Sequence, residues 1–396
     1  MRTLLNRDVL APLAMILTIQ SIVTMSSYAI PVAAPAIATD LGIAPVMVGA
    51  LVSVVYVTGM AVGLLSATLV ARFGAWRGFQ IMLALTGVGI LLMGLGHPLW
   101  LLAGAVLIGA GTGPMNPTGS HVLARVSPSD WQPFVFSIKQ CGTPAGGMLA
   151  GLVLPPLMLL YDWQLALAVI PAAAALCIVL VGLAAQPRQP RATAARFSVA
   201  AALGTLRLVT RDRILRRFVS GGMAFAAGQM AITTYIVVYL WSEIGLAMDM
   251  AGLIFSVVHG AGIAARIVLG AIAGRWVSSR ALLVLLGLVM ACGATGLALS
   301  NADWPVPAFV LLAVVTGIGG NGWVGLFFSE MVRRAPAGHT AEAAGGGQFF
   351  VYIGIVAGPL LASALITAIG YAVTFAVFAA ITALASLALH RLGAAN

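Results

Sequence analysis

The polar positions of this chain are gathered into short breaks, and between them apolar residues run for about 20 positions at a time. Each run is long enough to cross roughly 30 Å of hydrocarbon as a helix rising 1.5 Å per residue. About twelve such runs follow one another along the chain. Isolated strands would leave their backbone groups unpaired in lipid, and the runs are far too long for barrel strands. The pattern therefore predicts an all-α membrane protein with twelve transmembrane helices. Composition agrees: 61% of the 396 residues are hydrophobic and 8% charged, which lies far from a soluble domain.

The formal net charge of +10 raises the question of a nucleic-acid partner, and the placement of the charges answers it. Counting the amino terminus as cytoplasmic, Arg2, Arg7, Arg72, Arg77, Arg125, the arginines from Arg188 to Arg217, Arg275, Arg280, Arg333, Arg334 and Arg391 all fall on one side. The opposite loops hold Asp40, Asp162, Glu243, Asp249 and Asp303. This positive-inside pattern places both termini in the cytoplasm. The basic excess then reads as topology and contact with membrane lipid, with no nucleic acid expected. The small residues of "VAAPAIA" resemble a signal cleavage site, but the apolar segment before them is too long for a leader, so an uncleaved first helix is expected. Cys141, Cys177 and Cys292 fall inside spans with no disulfide or metal-site spacing and read as packing residues. A single lysine beside so many arginines, with abundant alanine and glycine, is associated with GC-rich bacterial genomes. Together these features imply a multi-pass protein of a bacterial inner membrane.

The chain repeats itself. "GAGTGPMNPTGSHVLARVSP" from Gly109 and "GIGGNGWVGLFFSEMVRRAP" from Gly317 have equal length, both open on G-x-G, and both end in arginine followed three residues later by proline. Gln140 maps at the same offset onto Gln348, and Gln20 and Thr24 of the first span map one residue further onto Gln229 and Thr233 of the seventh. The expected organisation is an N-terminal six-helix bundle over 1–186, a basic cytoplasmic linker over 187–217 and a C-terminal six-helix bundle over 218–396, in the parallel-repeat layout of transporters. "GTPAGGMLAG" and "GIVAG" place small residues three or four apart for close helix contact. With Pro144 and Pro359, these segments also offer flexing surfaces for a rocking motion.

The loops after spans two and eight carry a family resemblance. "ATLVARFGAWR" and "GAIAGRWVSSR" resemble the signature loop of the major facilitator superfamily through Arg72, Gly74 and Arg77 in the first copy and Gly270, Arg275 and Arg280 in the second. Ala71 and Gly274 stand where that signature has an acid, and Val277 replaces its second glycine. The resemblance implies the major facilitator fold, alternating access, and a cytoplasmic gate at these loops that lacks the usual acid.

Ionisable groups inside hydrocarbon cost roughly 2.5 to 3.5 kcal/mol each and mark function by default. Two basic residues meet that test, Lys139 in span five and Arg266 in span eight. In the fold that the resemblance implies, these spans face each other and two cations would converge on one site. "AARIVLG" around Arg266 also resembles the monocarboxylate-transporter group, where an arginine at this place binds the substrate carboxylate. Guanidinium chemistry suits that role, because its planar fork matches a carboxylate. The structural alternatives are a Lys139 that snorkels to the headgroups and an Arg266 that caps the end of its helix.

No acidic residue falls in mid-span, which disfavours an exporter of cationic drugs and favours an anionic small-molecule substrate. His259 precedes Arg266 by two helical turns, so it shares its face and is the proton-coupling candidate, unless the substrate's own carboxylate carries the proton. Further substrate-binding candidates are Gln140, Tyr28, Asn116, Gln229, Asn321 and Gln348, for each of which interhelical hydrogen bonding is an equal reason. The chain shows no nucleotide loop, metal cluster or nucleophile beside a base, so neither cofactor, metal nor enzyme activity is expected. The reading is a monomeric secondary transporter importing a monocarboxylate-like anion with protons. The alternatives are an efflux pump for amphipathic compounds and a transporter-like sensor without flux.

Overall fold

The computed structural model describes residues 7–128, 131–183, 199–336 and 339–391. Arg2, Asp130 and the first part of the expected linker, 187–198, lie outside the described residues. The chain divides into two compact units, Met1–Phe197 and Ser198–Asn396.

In the first unit α1 (Arg7–Leu41) is followed by a 3₁₀ turn and α2 (Val48–Gly63), the short α3 (Ser66–Phe73), and α4 (Ala75–Met93). Next come α5 (Pro98–Thr112) with α6 (Met115–Val126), α7 (Gln132–Gln140) with α8 (Gly142–Leu160), and α9 (Trp163–Leu167) with α10 (Val169–Leu183). These last three pairs each make one apolar span, so the unit has six spans long enough to cross a membrane. α1 keeps its helix through Pro12, Pro31 and Pro35, as membrane helices do when neighbouring helices satisfy the freed carbonyls.

The second unit opens with α11 (Val199–Arg211), which lies inside the segment expected as a linker. α11 is amphipathic: Val209 is buried, Arg207 and Arg211 are exposed, and a side chain added at Gly346 would collide with Val209. This part of the linker is thus a helix docked on the glycine-rich start of α16. Five long helices follow, α12 (Arg213–Ser242), α13 (Met248–Ile272), α14 (Ser279–Leu299), α15 (Val306–Arg333) and α16 (Thr340–Arg391). Asp212 starts α12 by accepting from the backbone N–H groups of Ile214 and Leu215, both at 2.8 Å, a strong N-cap.

Eleven helices among the described residues qualify as spans, one short of the expected number. The difference lies in α16, whose 52 residues would measure about 78 Å if straight, over twice the hydrocarbon thickness. Gly370 breaks it with φ 79° and ψ 173°, a conformation open to glycine. Its two arms are the eleventh and twelfth spans. The protein is therefore an all-helical, multi-pass membrane protein built as two six-helix repeats.

The repeat is visible in packing as well as in sequence. In the first unit, α5 lies against α2 with Gly109 over the Val55 carbonyl and Gly113 over Gly59. In the second, α15 lies against α13 with Gly317 over the Val258 carbonyl and Asn321 over Gly262. Each of these contacts is the counterpart of the other, which means the two glycine-lined seams descend from one design.

Candidate functional site

Gly113 and Asn321 occupy equivalent positions, and so do Gly63 and Arg266. Where the first unit packs backbone on backbone, the second has therefore placed two polar side chains. Arg266, in the sixth turn of α13 and partly buried, donates from Nε to the carbonyl oxygen of Asn321 at 2.7 Å. This bond crosses from α13 to α15. The arginine is thus held to a neighbouring helix and does not cap its own last turn, which ends at Ile272.

Asn321, 1% exposed, is oriented by a chain of bonds that begins at an indole. Trp323 Nε1 donates to Gln229 Oε1 at 3.0 Å, and a tryptophan can only donate. The amide of Gln229 must therefore present Nε2 to its other neighbour, and it donates to Asn321 Oδ1 at 3.1 Å. Asn321 consequently turns Nδ2 away, where this buried donor has no hydrogen-bond partner among the described residues. Trp323 itself is 1% exposed and is clamped edge-on by Phe225 and Phe327, with ring centroids 5.8 and 5.7 Å away. An aromatic cluster on α12 and α15 thus fixes one amide, which fixes a second amide, beside the arginine.

His259, fully buried, sits two turns before Arg266 on α13 with its ring against Phe255 at 4.6 Å. Gln348 is partly buried in the first arm of α16.

Lys139 belongs to a separate knot in the first unit. It is 1% exposed, so it does not snorkel. Its Nζ donates to the backbone carbonyl of Asn116 at 2.8 Å, to Ser120 Oγ at 2.9 Å, and to the side-chain oxygen of Asn116. Those three acceptors match the three protons of an ammonium, and all come from α6. Gly119 leaves room for the lysine stem, since a Cβ there would stand 3.1 Å from Lys139 Cε. Among the described residues Lys139 forms no ion pair.

The first unit also holds the remaining candidates. Gln140, partly buried, ends α7, and Tyr28, 4% exposed, lies in α1. Gln20 Nε2 donates to Thr143 Oγ1 at 2.9 Å, and its buried Oε1 has no partner among the described residues. Thr24 Oγ1 donates to the Gln20 carbonyl at 2.7 Å. Thr143, Ser120 and Trp323 were missed in the sequence because they are common residue types on apolar helices. Only the glycine-rich setting of Trp323, "GGNGWVG", marked it as unusual.

The signature loops differ in how they turn. Gly74, with φ 79° and ψ 159°, separates α3 from α4, and Arg72 lies over the Phe73 ring at 5.3 Å. In the second copy the left-handed residue is Gly274, with φ 77°, and its N–H bonds the Val277 carbonyl at 2.9 Å. A valine at 277 is tolerated because the turn was moved three residues earlier, onto the glycine that replaced the acid. Arg77 and Arg275 are exposed, as is Gly270, while Arg280 is partly buried in the first turn of α14. Elsewhere, a carboxylate near a helix end is more deeply placed than its position implied. Glu330, 1% exposed, binds Arg333 at 2.7 Å and Arg334 at 3.0 Å, and Arg334 stacks on Phe218 at 4.9 Å. Cys292 is exposed and not a buried packing residue.

Comparison with known proteins adds the lineage. No curated protein sequence matches the chain. Solved structures do. A POT family transporter in complex with 5-aminolevulinic acid has a TM-score of 0.78 at 13% identity, covering 96% of this chain and 95% of its own. A bacterial homologue of the human lysosomal transporter Spinster, inward-facing and unoccupied, has a TM-score of 0.74 at 14% identity, covering 98% and 96%. A mutant of the nucleoside transporter NupG has a TM-score of 0.77 at 12% identity, covering 96% and 99%. At these identities the likeness is one of fold. The sequence profile of the Major Facilitator Superfamily matches residues 16–357, which includes both signature loops, Lys139, the Arg266 seam and the start of α16. With the twelve spans and the paired glycine seams, that match makes the chain a member of the Major Facilitator Superfamily, a family of membrane transporters.

Proposed function

We propose that this transporter carries a small organic anion, monocarboxylate-like, by alternating access with proton-coupled uptake, and that Arg266 is its carboxylate ligand. The observation that carries the reading is the donor pair of the second unit: a guanidinium anchored through Nε, beside an asparagine whose buried Nδ2 is turned away from its own partners. Donors held in place before the substrate arrives favour an anion, because binding then costs little side-chain ordering. A POT family neighbour with the same fold is in complex with 5-aminolevulinic acid.

His259 is the proposed proton carrier. An anion bound at Arg266 would favour a protonated imidazole two turns away, so that anion and proton reinforce each other. Gln229, Gln348, Lys139, Asn116, Gln140 and Tyr28 are the further proposed substrate-binding residues. Because the Lys139 protons are spent on Asn116 and Ser120, its part is to supply positive potential rather than a direct bond. The proposed setting is a bacterial inner membrane with both termini cytoplasmic, and a functional monomer.

Uptake into proteoliposomes tests the reading. A panel of monocarboxylates, organic cations and neutral lipophiles is offered with and without an imposed proton gradient, using the parent, Arg266→Ala and His259→Gln. Gradient-stimulated monocarboxylate uptake that is lost in Arg266→Ala, and that loses its gradient dependence in His259→Gln, is expected. Uptake that ignores substrate charge and survives Arg266→Ala overturns the proposal in favour of amphipathic efflux.

A further inference from the structure

Two arginines in the opening turns of α12, Arg216 and Arg217, and the last residue of α16, Arg391, surround an open cavity of about 380 Å³. That volume lies within the roughly 300–1,000 Å³ of ordinary ligand pockets. Its remaining walls are small and apolar, with Gly221, Ala385 and Ala388. Among the described residues none of the three arginines is paired with a carboxylate. The nearby Asp212 is already committed to the α12 backbone. Ser220, also on the rim, donates its proton to the Arg216 carbonyl at 2.9 Å, which leaves the three arginines as the charged donors of the lining.

We infer that this cavity binds the phosphate of an anionic phospholipid. Three arginines lining one cavity can offer forked donors to phosphate oxygens, and single-sign charge around a concave wall attracts anions. The surface below the arginines argues for a lipid over a soluble phosphate. Leu387, Leu384 and Ile381 are exposed at 47%, 66% and 37% and follow one another at helical spacing along α16 away from Arg391. An apolar stripe leading out of a basic pocket, at the ends of two membrane-spanning helices, fits an acyl chain below a headgroup. The lining residues come from the start of α12 and the end of α16, so occupancy would tie these two helix ends together.

The test uses the full chain purified in detergent and stripped of lipid. Short-chain phosphatidylglycerol, phosphatidylcholine and inorganic phosphate are titrated separately, reading the thermal unfolding midpoint and the bound lipid by native mass spectrometry. Phosphatidylglycerol is expected to raise the midpoint by several degrees in the parent, with about tenfold or weaker binding in R216Q/R217Q/R391Q, a loss of roughly 1.4 kcal/mol. The control R77Q/R275Q/R280Q, which removes equal charge elsewhere, is expected to bind as the parent does. Ala388→Trp, which fills the cavity from an exposed position without touching its charge, is expected to weaken binding as well and decides the matter should the triple variant fail to fold. Equal affinity in parent, arginine variant and Ala388→Trp overturns the inference. Phosphatidylcholine acting as well as phosphatidylglycerol overturns charge recognition, and inorganic phosphate giving the same arginine-dependent stabilisation overturns the lipid assignment.

Discussion

Arg266 Nε donates to the main-chain oxygen of Asn321 at 2.7 Å, at the position where the first unit sets Gly63 against the Gly113 carbonyl. One unit keeps a close glycine seam and the other has converted the equivalent seam into an anchored cation. Because Nε carries the anchor, an ammonium cannot replace it and still present a fork. Arg266→Lys is therefore expected to fall well short of rescuing uptake, and Arg266→Ala to lower it by about 10- to 150-fold, the equivalent of one charge-assisted bond worth roughly 1.5–3 kcal/mol. Initial uptake rates in proteoliposomes, measured beside the unfolding midpoint of each variant, separate loss of function from loss of fold.

Gly262 has no room for a methyl group. A Cβ there would lie 2.9 Å from Asn321 Cγ, so Gly262→Ala must push the amide from its place between Gln229 and the arginine anchor. Overpacking of this kind costs about 1–3 kcal/mol, and the uptake KM should rise with it. Gly325, on the same α15 and with nothing within 4 Å of its Cβ position, provides the contrast. Gly325→Ala is expected to leave uptake unchanged and to raise the unfolding midpoint slightly, since alanine is the better helix former by about 1 kcal/mol.

Removing the acceptors of Lys139 is expected to be worse than removing Lys139. Asn116→Ala deletes one of three oxygens around a buried ammonium and should cost about 1.5–3 kcal/mol. Lys139→Met keeps the volume, discards the charge and leaves only neutral acceptors behind, so it should be milder. Thermal unfolding of the two variants compares them directly; a Lys139→Met variant less stable than Asn116→Ala would mean that the lysine contributes more than its local bonds.

Glu330 joins Arg333 and Arg334 and, through the stacking of Arg334 on Phe218, ties the end of α15 to the start of α12. Glu330→Gln keeps the shape and removes the charge. Since Arg333 is 60% exposed that half of the cluster is worth little, and the more buried Arg334 bond dominates. The expected loss is about 1–2 kcal/mol, read as a lower unfolding midpoint. Uptake per folded molecule should change little at saturating substrate.

Much of this architecture was legible in the amino-acid order. Runs of apolar residues specify spanning helices because hydrocarbon leaves a backbone few alternatives, and the repeated G-x-G segments announced a duplicated bundle because close helix contact demands small residues at fixed spacing. The same logic singled out Lys139 and Arg266, whose burial in lipid needs a reason, and resemblance to the major facilitator superfamily marked both signature loops. What it left open was direction. Whether Lys139 reaches out to the headgroups or inward to Asn116 depends on where α6 places its oxygens, more than a dozen residues away. Whether Arg266 caps α13 or crosses to α15 depends on a carbonyl 55 positions along the chain. Trp323, an apolar-looking residue in sequence, gained its part only when Gln229 came within reach of its indole. The break at Gly370 and the docking of α11 were likewise settled by three-dimensional packing, since any glycine permits a turn and any amphipathic segment permits a helix. Sequence determined which groups had to be accommodated inside the membrane; tertiary structure decided which partner each one found, because hydrogen bonds between helices are made by distance in space.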